Sequence, residues 1–415
     1  MPTIAVRHHR WRLSALFYLA AQAQALWYVP FSKVLRTHGL EWLIPYAFAI
    51  AAIPALVSPM IGGALADEHL PPERLLGGLM VFVSLLLGAV YLAIQRQWGG
   101  AWVVGLLLLQ QLAFAPTGGL IIAIIFASVR DPARDYGPIR VWATIGWMVA
   151  APLAGFLPFA ETSFLYGYVG AAMYMLVALF AFAMPATPPI SSSGPRRWRD
   201  LLGHDTMELL RERDVRVVFI VAALFSMPLA AFYPFTPLFL TDGGETHATA
   251  LMSIGQVTEV ISAFILAPLL ARFRLKHILT AGLVAGVARY VLYAVGAKGW
   301  VLLGVSLHGF AYMLYFVAVQ LYLERRIAPR FRSRAQAFLN LMMAGIGNLV
   351  GALFCGWLRD WCGSPGGTRW TLYWSILAGC TAAVMGYFLL RFREPESPRV
   401  DLPDEGLPLN TLPGE

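Results

Sequence analysis

The sequence predicts an all-α polytopic membrane protein of twelve transmembrane helices, arranged as two six-helix, pseudo-symmetric halves. Three observations predict it: a large apolar excess, long unbroken apolar segments, and a polar linker at the middle of the chain. Of 415 residues, 58% are hydrophobic and 13% are charged, about half the ~25% charged share of an ordinary soluble domain. Segments of about 20 or more mostly apolar residues, each able to cross a ~30 Å hydrocarbon core, run near 13–32, 42–65, 75–94, 101–127, 138–158, 164–184, 215–240, 250–270, 277–297, 300–323, 335–357 and 371–391. They lack the alternating polar positions of a membrane β-strand, so a helical bundle is favoured over a β-barrel.

Charge placement orients the bundle, because Lys and Arg collect in short loops on the cytoplasmic side. With the N-terminus inside, the outer loops hold only Lys33, Arg36, Arg96, Lys298, Arg359 and Arg369, while Arg140 and Arg289 fall inside spans. The remaining Lys and Arg, out of 31, lie on the inner side, so both termini are expected there. The net charge of +8 is thereby explained by topology and contact with anionic membrane lipid, and a nucleic-acid partner is not expected.

At the start, the basic residues Arg7 to Arg12, a short apolar run and Ala21-Gln22-Ala23-Gln24-Ala25 imitate a cleavable secretory signal. The apolar character continues to Phe31, however, and removing the segment would break the six-plus-six count, so it is read as the first span. Cys355, Cys362 and Cys380 are odd in number and lack metal-ligand spacing, so they are read as packing residues.

The chain divides at a Pro/Ser-rich, basic stretch. This gives an N-terminal half at 1–184, a cytoplasmic linker at 185–213, a C-terminal half at 214–392 and a polar, disordered tail at 393–415. The halves echo one another. FASVRDPARDYGPIRVWATIGW joins the fourth and fifth spans, LERRIAPRFRSRAQAFLNLMMAGIGN the tenth and eleventh, and each is a basic, Pro-containing loop leading into a small-residue helix. Internal duplication of this kind underlies alternating-access carriers.

Between the second and third spans, GGALADEHLPPERLL resembles the loop signature of major facilitators through Gly63, Asp67 and Arg74. Glu68 and Pro71 depart from that pattern, which has a basic residue and a Gly there. Asp67 and Arg74 are read as a cytoplasmic gate. PIRVWATIGW at 138–147, LLGHDTMELL at 201–210, SIGQVTEV at 253–260, GVARYVLYAVG at 286–296 and LERRIAPRFRSRAQAF at 323–338 are similar, in order and spacing, to the nucleoside:proton symporter family. The resemblance implies a secondary active transporter of the major facilitator fold in the bacterial inner membrane. It implies uptake of a small-molecule solute, a nucleoside, driven by the proton as coupling ion, with no other cofactor and with a monomer as the working unit. A symporter of another small polar solute, such as a sugar or an aromatic acid, and a non-coupled facilitator remain as alternatives.

The residues support the same positions on physical grounds. Arg140, read as about one turn into the fifth span, would cost roughly 2.5–3.5 kcal/mol or more facing lipid. It is therefore expected to face the cavity, where a guanidinium offers two parallel donors. Thr144 and Trp147 lie four and seven residues on and share its face. Glu259 is the carboxylate placed deep inside a span, with Gln256 three residues before it on the same face. A carboxyl at that depth is costly as a bare charge and suits a proton carrier; pairing with Arg289 is the structural alternative. In the resembled family the matching Arg, Gln and Glu contact the solute.

His308 and Tyr312 face one way, four residues apart, and His308 departs from the aromatic residue that the family carries. It is the second candidate for proton coupling, after Glu259. In the seventh span FSMPLAAFYPFTPLFL offers Ala230 and Tyr233 where the family places polar side chains. The carboxylate of the family's tenth span is replaced near Met313. Pro228, Pro234 and Pro237 are expected to interrupt the seventh helix. An enzyme is not expected: the chain carries no Walker A loop, no HExxH and no nucleophile elbow.

Overall fold

The computed structural model describes residues 2–57, 71–129, 132–156, 161–185, 210–327 and 329–394. Its main helices, in chain order, are α1 (Pro2–Tyr28), α2 (Glu41–Val57), α3 (Pro72–Gln95), α4 (Gly100–Ser128), α5 (Pro132–Phe156) and α6 (Leu165–Phe182), followed by α7 (Arg213–Asp242), α8 (Ala248–Arg272), α9 (Leu275–Val295), α10 (Lys298–Arg326), α11 (Arg334–Trp361) and α12 (Trp370–Arg391). Among the described residues, nine of these, all but α1, α2 and α5, are long and apolar enough to cross a membrane. The other three complete the bundle. α1 is diluted by Gln22 and Gln24, α5 by Asp135 and Arg140, and α2 is described only to Val57. Linker residues 186–209, tail residues 395–415 and Asp67 lie outside the described residues.

Large apolar side chains such as Phe82, Leu85, Trp102, Phe264 and Leu390 stand exposed on the outside of the bundle. In water that much exposed oil would be unfavourable, and in hydrocarbon it is the natural surface. The chain is a multi-pass membrane protein.

Packing repeats between the halves. In the first, α1 packs on α5 and α6, and α3 on α4 and α6; in the second, α7 packs on α11 and α12, and α9 on α10 and α12. The halves meet along α2 with α11 and α5 with α8. Glycine sets the closest approaches. A Cβ on Gly309 of α10 would come within 2.1 Å of the Glu259 backbone nitrogen on α8, and Thr258 closes the same seam by donating to the Ser306 carbonyl at 2.5 Å.

Two details differ from the expectation drawn from sequence. α5 begins at Pro132, ahead of Pro138, so Arg140 lies two turns inside the helix, about 12 Å from its start at 1.5 Å per residue. α10 and α11 each contain a π-helical stretch, Tyr312–Val317 and Leu341–Gly347, where the backbone register slips. Of the three prolines expected to interrupt α7, Pro228 precedes the break, while Pro234 and Pro237 are accommodated within the resumed helix. The helix Arg213–Leu229 ends in a turn at Ala230 and Ala231 and resumes as Phe232–Asp242. The Pro228 carbonyl accepts from the Ala231 backbone nitrogen at 3.2 Å and from the Tyr290 hydroxyl at 2.6 Å.

Candidate solute cavity

A cavity of about 570 Å³ lies between the halves. α1 contributes Gln24 and Tyr28, α5 Thr144 and Trp147, α7 Ala230, Phe232 and Tyr233, α8 Gln256 and Glu259, and α10 His308 and Tyr312. Gln320, Asn340 and Asn348 line it as well.

One wall is aromatic and joins the two halves. Tyr28 meets Tyr233 at 5.5 Å, Trp147 at 6.3 Å and Phe48 at 4.9 Å between ring centroids, and Trp147 meets Tyr233 at 5.8 Å. These are edge-on or tilted contacts, the arrangement that ring quadrupoles favour. Beside them Gln256 donates to the Tyr233 hydroxyl at 3.2 Å. Its own carbonyl oxygen and the indole nitrogen of Trp147 are buried and meet no protein partner. Buried polar atoms are normally satisfied, so an unpaired donor and acceptor in one cavity mark places where a polar solute or water must bond.

Among the sequence-predicted site residues, the cavity brings together Thr144, Trp147, Tyr233, Gln256, Glu259, His308 and Tyr312. Arg140 is corrected: it is exposed and does not line the cavity, although its charge acts on both Glu259 and Tyr312. The helix carries it a turn away from Thr144, toward the face that bears the termini. The alternative pairing of Glu259 with Arg289 does not form. Fully buried Arg289 instead places Nη1 2.9 Å from Nδ1 of His308, and Glu259 faces the cavity. Met313 is buried in the packing core and leaves the wall to Tyr312 and Phe316. Of the expected gate pair, Arg74 is exposed in the first turn of α3, and Asp67 lies outside the described residues.

Sequence reasoning missed Gln24, Tyr28, Gln320, Asn340 and Asn348. Gln24 and Tyr28 stand four residues apart in an apolar helix, a pattern that could have marked a polar face. Tyr174 donates to the Gln24 carbonyl and fixes it.

On the face away from the termini, polar bridges tie the halves together. Glu161 of the first half pairs with Lys33 at 2.5 Å, both nearly buried, and also accepts from the backbone nitrogen and hydroxyl of Thr249 in the second half. Arg36 pairs with Asp242 at 2.7 Å, and Arg359 with Glu41 at 2.5 Å.

Comparison with known proteins places this arrangement. The family model described as Nucleoside H+ symporter matches residues 8–397. The putative nucleoside transporter YegT of Escherichia coli (strain K12) is 32% identical over 405 residues, covering 93% of this chain and 94% of that protein. The nucleoside permease NupG of the same strain is 27% identical over 369 residues, covering 83% of this chain and 86% of that protein. The crystal structure of the nucleoside transporter NupG matches the fold with a TM-score of 0.80 at 22% identity, covering 93% of this chain and 100% of that one. A family match along nearly the whole chain, together with a relative of this identity and coverage, shows that the chain belongs to the nucleoside H+ symporter family and is a membrane transporter, not an enzyme.

Proposed function

We propose that this protein takes up nucleosides across the bacterial inner membrane together with protons, by alternating access of the halves 1–184 and 214–392 about the central cavity. The observation that carries the reading is the cavity's chemistry: an aromatic wall of Tyr28, Trp147 and Tyr233 beside the unpaired Trp147 indole N–H, the unpaired Gln256 carbonyl and Glu259. A nucleoside matches it in kind, with a flat base to stack and a hydroxylated sugar to hydrogen-bond. Arg140 lies outside the cavity lining, one turn before Thr144 on α5. The cavity is complete within one chain, which suits a monomeric carrier.

The bridges at Lys33, Glu161, Thr249, Arg36, Asp242, Glu41 and Arg359 close the face away from the termini. With both termini cytoplasmic, as the basic loops suggest, that closed face is periplasmic. Glu259 is the favoured proton carrier, being the carboxylate among the residues that line the cavity.

The test is uptake of labelled uridine into proteoliposomes under an imposed pH gradient, with competition by nucleosides, sugars and aromatic acids. Accumulation that nucleosides suppress and a protonophore abolishes supports the reading. Competition by sugars or aromatic acids alone would replace the solute class, and accumulation indifferent to the protonophore would replace symport by facilitation.

A further inference from the structure

His308 is a cavity residue held by a buried cation. Arg289 of α9 is fully buried, its guanidinium lies 4.6 Å from the Phe232 ring centroid and 4.8 Å from that of Tyr290, and Nη1 lies 2.9 Å from Nδ1 of His308. A guanidinium has five donors and no acceptor. The Nδ1 atom must therefore present its lone pair, which leaves the ring proton on Nε2. A second proton, on Nδ1, would set donor against donor and charge against charge at hydrogen-bond distance.

The ring cannot readily turn away. It stacks on Phe232 at 3.9 Å with an interplanar angle of 14°. On another side Gly255 lets α8 approach so closely that a Cβ there would stand 3.3 Å from the His308 Cβ and 3.4 Å from its Cδ2. The hydrogen bond found for the ring is the one at Nδ1, and the residue borders the cavity. The other titratable and charged groups around it are Glu259 from α8, Tyr233 from α7, Tyr290 and Tyr293 from α9 and Tyr312 from α10. None of these is hydrogen-bonded to the ring.

We propose that Arg289 is a positioning residue that holds His308 as a neutral imidazole with its Nε2–H toward the cavity, so that His308 reads an acceptor on the solute, a base carbonyl or ring nitrogen, and does not carry the proton. The inference rests on the nucleoside reading of the cavity. It makes His308 a fixed hydrogen-bond donor and leaves proton transfer to another group.

Nitrogen NMR of ¹⁵N-histidine-labelled protein in bilayers tests the tautomer directly, with the His308 signal identified by its loss in His308→Gln. The expected spectrum shows an unprotonated Nδ1 and a protonated Nε2, unchanged from about pH 5 to about pH 8. An imidazolium appearing in that range would overturn the proposal. In uptake, His308→Phe keeps the stack but removes the donor, and it should raise KM for uridine about tenfold, while His308→Gln, which keeps an N–H, should stay within about threefold. Equal KM values for the wild type and His308→Phe would also overturn it.

Arg289→Gln supplies an amide that can either donate or accept, so its spectrum should show a share of rings protonated on Nδ1, and a spectrum identical to the wild type's would overturn the positioning role of Arg289. If the Arg289 variant fails to fold, the spectrum and the His308 pair still decide. A wild type that takes up no nucleoside would sink the function reading while leaving the spectrum to judge the tautomer.

Discussion

Glu259 faces the cavity from a helix whose neighbour has been brought within touching distance by Gly309, so the carboxyl has a fixed place and a changing occupant. When protonated it can donate to a solute hydroxyl; when ionised it can only accept, and the two states favour different arrangements of the halves. Glu259→Gln fixes the neutral form. The variant should retain exchange of labelled uridine down its own gradient and lose accumulation driven by an inward proton gradient, measured as counterflow and pH-jump uptake in the same vesicles. Undiminished proton-driven accumulation would remove Glu259 from the coupling role.

Arg140 stands outside the cavity lining in this arrangement and reaches the solute only if the halves shift. In that case Arg140→Ala should weaken uridine binding about 10- to 100-fold, the range for a lost charged hydrogen bond, while the carrier stays folded. Arg140→Lys should recover little, because an ammonium lacks the planar fork. Wild-type affinity in both would make Arg140 a lipid-interface anchor. Much of the cavity was legible residue by residue. Gln256 and Glu259, Thr144 and Trp147, and His308 and Tyr312 are spaced to share a helical face, and they do line one space. Gln24 and Tyr28 were obscured because Ala21 to Ala25 has the small-residue look of a cleavage site. Asn340 and Asn348 flank a π-helical stretch, where a 3.6-residue period no longer tells which side a residue faces.

At the scale of the element, composition and length revealed the spans but not their internal irregularities. Pro138 suggests a helix start, yet α5 begins a turn and a half earlier and carries Pro138 and Pro152 in its interior, each removing one backbone hydrogen bond. The break in α7 was legible only in part, after Pro228 and not at Pro234 or Pro237, and the Tyr290 hydroxyl that bonds the Pro228 carbonyl comes from a distant part of the chain. The contact of α8 with α10 gives a sharp test. Gly309→Ala should lower stability by about 1–3 kcal/mol, as overpacking does, because its methyl would meet backbone at 2.1 Å. Gly299→Ala on the same helix opens onto free space and should be neutral. Equal melting temperatures for the two in detergent would show that α8 and α10 can separate freely.

At the scale of the whole molecule, the repeated pairing of α1 with α5 and α6, and of α7 with α11 and α12, matches the duplication read from the two basic loops. The orientation of that bundle is open to direct measurement. Cytoplasmic reporters fused after Arg199 and Arg393 should be active, and periplasmic reporters should work near Lys298 and Gly363. Activity of a periplasmic reporter after Arg393 would reverse the sidedness of the bridged face.

Glu161 also separates two kinds of closure on that face. Its ion pair with Lys33 lies within one half, while its grip on the other half runs through the uncharged Thr249. Parting the halves there breaks hydrogen bonds to a carboxylate but leaves its ion pair with Lys33 whole, so the charge keeps a partner. The more exposed Arg36–Asp242 bridge does run between the halves, and dissolved ions screen it. Raising the salt concentration on that face would thus weaken the Arg36–Asp242 and Arg359–Glu41 bridges more than the buried grip of Glu161 on Thr249.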